Sequence, residues 1–159
     1  MIATATTEDI DRLVELWVAL METGQADGGH LDPTANDAIA RQRIAAAVAD
    51  DRVLLARPED SIVGFASVTL EHGVFEMDCP RGIVENLYVV PSARRQGVGT
   101  ALLAAAEARL RELGADVVAV ETLAANEAGR AFYRAQGYRP HRVTLERRVE
   151  SDRKGDPPR

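Results

Sequence analysis

The sequence predicts a single mixed α/β domain, and three observations carry that prediction. Apolar residues recur at helical intervals in separate stretches, most plainly Ile10, Leu13, Val14, Trp17, Leu20 and Met21. Two short apolar runs, 53–56 and 62–70, flank a Glu59-Asp60 turn and read as a hairpin. Residues 117–120 form a near-continuous apolar run of the kind that fills a central strand. At 159 residues the chain holds one ordinary domain and not two.

The elements follow in order. Residues 2–5 alternate briefly and suit an edge strand. Thr6 precedes Asp9 by the three residues of a capping box, so the first helix starts there. It is expected to stop at Gly24. The Gly- and Asp-rich stretch 24–33 ends in Asp32-Pro33 and reads as a loop. A second helix is expected over 34–50, with Ile39, Ile44, Ala47 and Val48 as its stripe. The hairpin follows, then an irregular acidic segment over 73–82. A strand is expected over 83–90, ended by Pro91, and a helix over 97–113, whose inner face is Leu103, Ala106, Leu110 and Leu113. After the apolar strand comes a short helix over 126–136, stopped by Gly137. Weak alternation over 143–149 suggests a last strand. The domain is thus expected to span 1–149, with a charged, Pro-containing and disordered tail over 150–159.

Composition removes several classes of function. The net charge of −6 argues against a nucleic-acid binder, which carries a basic face. One cysteine, Cys79, permits no internal disulfide, and this suits a reducing compartment. The first residues lack the basic and apolar regions of a signal peptide, and no apolar run approaches membrane-spanning length. A cytoplasmic protein is expected. His30, His72 and His141 are scattered without metal-ligand spacing, so no metal is expected.

The informative stretch runs from Val89-Val90-Pro91 through Ser92-Ala93-Arg94-Arg95-Gln96-Gly97-Val98-Gly99-Thr100. It reads strand, basic turn, Gly-x-Gly, helix. The first turn of a helix has free N–H groups at its positive dipole end, and together these attract anions. Arg94 and Arg95 add charged donors. A pyrophosphate is the natural guest, although a Gly-x-Gly at a helix start is equally compatible with glycines that only ease packing. A P-loop is excluded by the lack of Gly-Lys-Ser/Thr. A dinucleotide fingerprint is excluded because Leu102 stands where its third glycine belongs.

This stretch resembles the acetyl-CoA-binding motif Arg/Gln-x-x-Gly-x-Gly/Ala of the GCN5-related N-acetyltransferase (GNAT) family, with Arg94, Gly97 and Gly99 at its fixed positions. A second block, Asn126-Glu127-Ala128-Gly129-Arg130-Ala131-Phe132-Tyr133 through Gly137-Tyr138, is similar to the family's Asn-x-x-Ala-x-x-Phe-Tyr-x-x-x-Gly-Phe segment. Gly129 departs from the usual Ala, and Tyr138 from the usual Phe. The resemblance covers 83–138. It implies a mostly antiparallel, twisted central sheet flanked by helices, in which a parallel strand pair, 83–90 and 116–122, splays apart.

The resemblance also implies a site. The pantetheine arm of acetyl-CoA would lie between the splayed strands, along Leu87, Tyr88 and Val89. The N–H groups of Arg95, Gln96, Gly97, Val98, Gly99 and Thr100 would hold the pyrophosphate, with Arg94 beside them. Asn126 would hydrogen-bond the pantetheine arm. Tyr133 would protonate the departing thiolate, since a phenol with pKa near 10 keeps its proton at neutral pH. Glu85 is the candidate base for the acceptor amine, unless that amine arrives neutral. The oxyanion would meet an N–H near Leu87. Read without the resemblance, Tyr133 is an amphipathic core residue and Glu85 an exposed strand carboxylate.

Acidic Glu71, Glu76 and Asp78 flank the expected acceptor side, and Glu22 with the loop through His30 borders it. The acceptor would be a small-molecule or peptide amine, the reaction a direct attack in a ternary complex, and the assembly a homodimer as in many relatives. Cys79 is not needed as a nucleophile. Two other functions fit the same residues: a catalytically inactive acetyl-CoA-binding sensor, and an unrelated phosphate-binding α/β protein.

Overall fold

The computed structural model describes residues 1–73 and 75–149. The expected tail over 150–159 lies outside the described residues. Five strands form one sheet in sequential order: β1 (Ile2–Thr4), β2 (Val53–Ala56), β3 (Gly64–Leu70), β4 (Arg81–Val89) and β5 (Val117–Val120). The first four pair antiparallel and β5 joins β4 in parallel. Four α-helices flank the sheet: α1 (Ile10–Ala26), α2 (Asp37–Ala49), α3 (Val98–Glu112) and α4 (Glu127–Ala135).

The alternation of strand side chains divides the core into two layers. On one face Val53, Leu55, Phe65 and Tyr88 pack against Leu13 and Leu16 of α1 and Ala47 and Val48 of α2. On the other, Leu54, Ala56, Ala66, Val68 and Val84 pack against Leu102, Leu103, Ala106 and Leu110 of α3, joined by Phe132 and Tyr133 of α4. A sheet covered on both faces needs apolar residues at successive positions, and all four residues of β2 are buried.

The capping box forms as expected. Thr6 N–H donates to Asp9 Oδ2 at 2.8 Å, and the Arg57 guanidinium at the end of β2 closes on the same buried carboxylate. Burial alone would raise the Asp9 pKa, but the Thr6 and Arg57 donors outweigh it and hold the group below the usual carboxylate range.

Three expectations are corrected. The first helix does not stop at Gly24 but runs to Ala26. The residue that takes left-handed backbone is Gly28 (φ 92°), and Gly29 N–H returns to the Gly24 carbonyl at 2.8 Å in a Schellman turn. Ile39 does not join the stripe of α2: it is exposed, and Ala40 is buried instead. Residues 143–149 form no strand. Their apolar side chains, Val143, Leu145 and Val149, stand in solvent at 74–90% exposure, so no packing rewards the alternation. In consequence β5 is an edge rather than a central strand among the described residues, and Val117 is exposed.

Candidate active site

The site is built where β4 leaves β5. Pairing between them covers only Arg81–Val84 against Val117–Val120. At the next residue β4 carries a β-bulge: Val68 faces Val84 and Ser67 faces Asn86, which leaves Glu85 as an extra residue without a partner. The bulge re-aims the strand, and residues 85–89 have no neighbour on the β5 side. Val90 N–H donates to the carbonyl of Val63, just before β3, at 2.8 Å, so by alternation Leu87 and Val89 turn their backbone groups away from β3. The pairing of β4 with β5 thus ends at Val84 and Val120, within the strand pair that the resemblance expects to part.

At the far end of β4 the turn into α3 presents a run of unpaired donors. Arg95 (φ 62°) and Gly97 (φ 82°) both take left-handed backbone, which turns successive N–H groups to one side as an anion nest. Among the described residues, the N–H groups of Arg95, Gln96 and Gly97 have no acceptor. Those of Val98, Gly99 and Thr100 belong to the first turn of α3 and have no intrahelical partner. Six consecutive donors are thus without a partner among the described residues at the positive end of a 15-residue helix. The Gln96 side chain braces the turn from within through the Ser92 carbonyl at 3.2 Å.

Arg94 is tied to the strand end: its Nε donates to the Val89 carbonyl at 2.9 Å and its guanidinium lies 5.6 Å from the Tyr88 ring centroid.

Helix α4 closes the other side. Asn126 caps it, accepting from Gly129 N–H at 2.8 Å and donating to Thr122 Oγ1 at 3.3 Å. The departure at Gly129 has a physical reason, because a Cβ there would lie 2.4 Å from Asn126 Nδ2. Tyr133, seven residues after Asn126, is edge-on to Phe132 and Tyr138, with ring centroids 5.2 and 5.8 Å away. Burial pushes its phenol pKa up, so the proton is retained well above neutral pH. Tyr138 anchors the end of the helix by donating to Glu107 Oε1 on α3 at 2.7 Å.

The bulged carboxylate, Glu85, is about one-third exposed and has Arg43 Nη2 of α2 at 3.6 Å from its Oε1. Beside it, Asn86 Nδ2 donates to buried Ser67 Oγ at 2.8 Å, which pins the register next to the bulge. Sequence reasoning missed Arg43, Ser67 and Asn86, because only the strand register and the α2 packing bring them to Glu85.

The acidic segment contributes less than expected. Glu71 is gripped by Arg81 at 2.7 and 2.8 Å and closes the base of the β3–β4 connection. The connection after α1 also borders the site: a Cβ at Gly29 would lie 3.3 Å from Leu123 beyond β5, and His30 Nε2 meets Glu146 at 2.9 Å. Among the described residues no group of His, Cys, Asp or Glu is placed to hold a metal, and no helix is long and apolar enough to cross a membrane.

Comparison with known proteins agrees with this fold. The model of the acetyltransferase (GNAT) family matches residues 13–138. Aminoglycoside N(6')-acetyltransferase type 1 of Klebsiella aerogenes is 40% identical over 90 residues, which are 54% of this chain and 58% of that protein, so the chain spans little more than half of that relative. Aminoalkylphosphonate N-acetyltransferase of Salmonella typhimurium strain LT2 is 30% identical over 137 residues, 85% of this chain and 82% of that one. Among solved structures, AAC(6')-Iy in complex with the bisubstrate analog CoA-S-monomethyl-acetylneamine matches with a TM-score of 0.70 at 21% identity, over 94% of this chain and 97% of that one. At that identity the likeness is one of fold.

Proposed function

The chain belongs to the acetyltransferase (GNAT) family, and from that premise we propose that it transfers the acetyl group of acetyl-CoA to the primary amine of a small molecule, by direct attack in a ternary complex. It is an N-acetyltransferase; the acceptor class and the residue roles are the proposal. The observation that supports it is that β4, past the bulge at Glu85, runs on without a paired β5 to a turn whose N–H groups over 95–100 lack backbone acceptors.

The thioester supplies the activated acyl group. Backbone N–H groups from Arg95 to Thr100 bind the pyrophosphate, and the backbone of Leu87 with the N–H of Val89 continues the sheet onto the pantetheine arm. Asn126 has one amide N–H left for the same arm after its two contacts within the chain. Leu87 N–H meets the negative charge that develops on the acyl oxygen. Glu85 accepts the proton of the acceptor ammonium, directly or through water, and Tyr133 donates to the thiolate as it leaves. The relatives' names point to small amines, aminoglycosides or aminoalkylphosphonates, as acceptors. We also propose that the protein is cytoplasmic and a homodimer; the exposed alternation of Val143, Leu145 and Val149 and the open edge of β5 support the second, and sedimentation tests it.

Calorimetric titration with acetyl-CoA, with ATP and NAD as controls, tests the cofactor. Micromolar binding, roughly −8 kcal/mol, selective for acetyl-CoA is expected. Thiol release with an acceptor panel then tests turnover. Equal binding of ATP would overturn the cofactor assignment, and selective binding without turnover on any amine would leave a sensor.

A further inference from the structure

Arg43 converges on the base of the proposed reaction without being committed to it. Its side chain is 75% exposed, and among the described residues its one charged contact, with Glu85, is at 3.6 Å, beyond hydrogen-bond length. Among the described residues its guanidinium makes no hydrogen bond. Three neighbouring arginines are engaged: Arg41, one half-turn away on α2, donates to Asp11 at 2.7 Å, Arg81 holds Glu71, and Arg94 donates to the Val89 carbonyl.

A loose contact between partly solvated ions contributes little stability and yields readily to a ligand. What the fold fixes is placement. From α2 comes a guanidinium fork with free donors, and from the β4 bulge comes a carboxylate. A carboxylate receives an ammonium, and a guanidinium fork receives a phosphonate or carboxylate through two parallel hydrogen bonds. Two opposite charges one contact apart are complementary to a molecule that carries an amine and an acid group a few bonds apart. A polycationic acceptor meets a like charge beside the base, and Glu71, closed by Arg81, is not free to offset it.

We propose that Arg43 is a specificity-determining residue that selects zwitterionic acceptors, with the reacting amine at Glu85 and an acid group of the acceptor, phosphonate or carboxylate, on the guanidinium. This rests on the N-acetyltransferase reading above and narrows its substrate class.

The test compares acceptors that differ in the acid group. Thiol release from acetyl-CoA is followed with 2-aminoethylphosphonate, with propylamine, and with an aminoglycoside bearing a free 6'-amine, for the natural protein, Arg43→Ala, Arg43→Lys and Arg41→Ala. The natural protein is expected to prefer 2-aminoethylphosphonate over propylamine in kcat/KM. Arg43→Ala is expected to reduce that preference at least ~10-fold, chiefly through KM, as loss of a charge-assisted hydrogen bond does. Arg43→Lys restores part of it, and Arg41→Ala leaves the preference intact. An unchanged preference in Arg43→Ala, or a natural protein that favours the aminoglycoside and gains on it when Arg43 is removed, would overturn the inference while the acyltransferase reading stood. Failure of the natural protein to bind acetyl-CoA in calorimetry would instead remove that reading, and this inference with it.

Discussion

Replacing Gly97 by Ala probes the anion nest with little else disturbed. Gly97 has φ 82°, and a Cβ built on it meets nothing within 4 Å, so the substitution brings no clash and acts through the backbone alone. Left-handed backbone costs a non-glycine residue about 1–2 kcal/mol. In the free protein few bonds hold this turn in that shape: among the described residues the donors of 95–97 are unpaired, and the Gly97 carbonyl only starts α3 by accepting from Ala101 at 3.0 Å. The turn of the variant therefore relaxes when empty and must be restored on binding. Most of the strain then appears as lost affinity, a rise of roughly 5- to 30-fold in the Kd of acetyl-CoA, with a small change in melting temperature. Gly97→Asn is the matched control, since Asn adopts left-handed backbone far more readily, and it is expected to stay within about 3-fold of the natural protein. Calorimetry on the three proteins measures this directly. Natural affinity in Gly97→Ala, or equal losses in the Ala and Asn variants, would refute the reasoning, because neither pattern can come from the φ of this residue.

Other perturbations test other parts of the site and the fold. Tyr133→Phe is expected to lower kcat about 100-fold with acetyl-CoA affinity retained; since burial raises the phenol pKa, the natural kcat should show no loss of this proton below about pH 10 in a pH-rate profile. Asp9→Asn should destabilise the protein by about 1–3 kcal/mol at pH 7 in urea titrations. The folded pKa of Asp9 lies below the ordinary aspartate value of about 3.9, so that stabilisation is complete above the ordinary value and is lost as pH falls through the folded pKa, and the gap between the two proteins should narrow in acid. Gly129→Ala improves helix propensity by about 1 kcal/mol yet displaces the Asn126 cap, worth about the same; no net rise in melting temperature and a weaker acetyl-CoA complex are expected, and a clear thermal gain would show the cap unharmed.

Local signals were legible and long-range ones were not. The stripe of α1, the Thr6–Asp9 box and the turn from Pro91 to Thr100 are written in consecutive residues, and each stands where the pattern puts it. The helix starting at Asn126 was read from the residues, and the parallel pairing of 83–90 with 116–122 from the motif resemblance. Register was invisible: nothing in Val84-Glu85-Asn86 marks the bulge, because it arises from how β4 is offset against Ser67-Val68. Arg43 and Glu85 are 42 positions apart and meet only through the packing of α2, so no spacing could link them. The strand expected over 143–149 failed because alternation states a capacity for pairing and says nothing of whether an edge receives it.

The extra residue at Glu85 also limits how this protein can change. Deleting one residue anywhere between Val84 and Asn86 would let β3 and β4 pair in a single register, and β4 would lose the bend that separates it from β5. The opening for a ligand and the aim of the acid beside it would vanish in the same event. Length changes in β4 are therefore closed to variation, and diversification of the acceptor falls to substitutions on α2 and in the connection after α1, which border the opening without creating it.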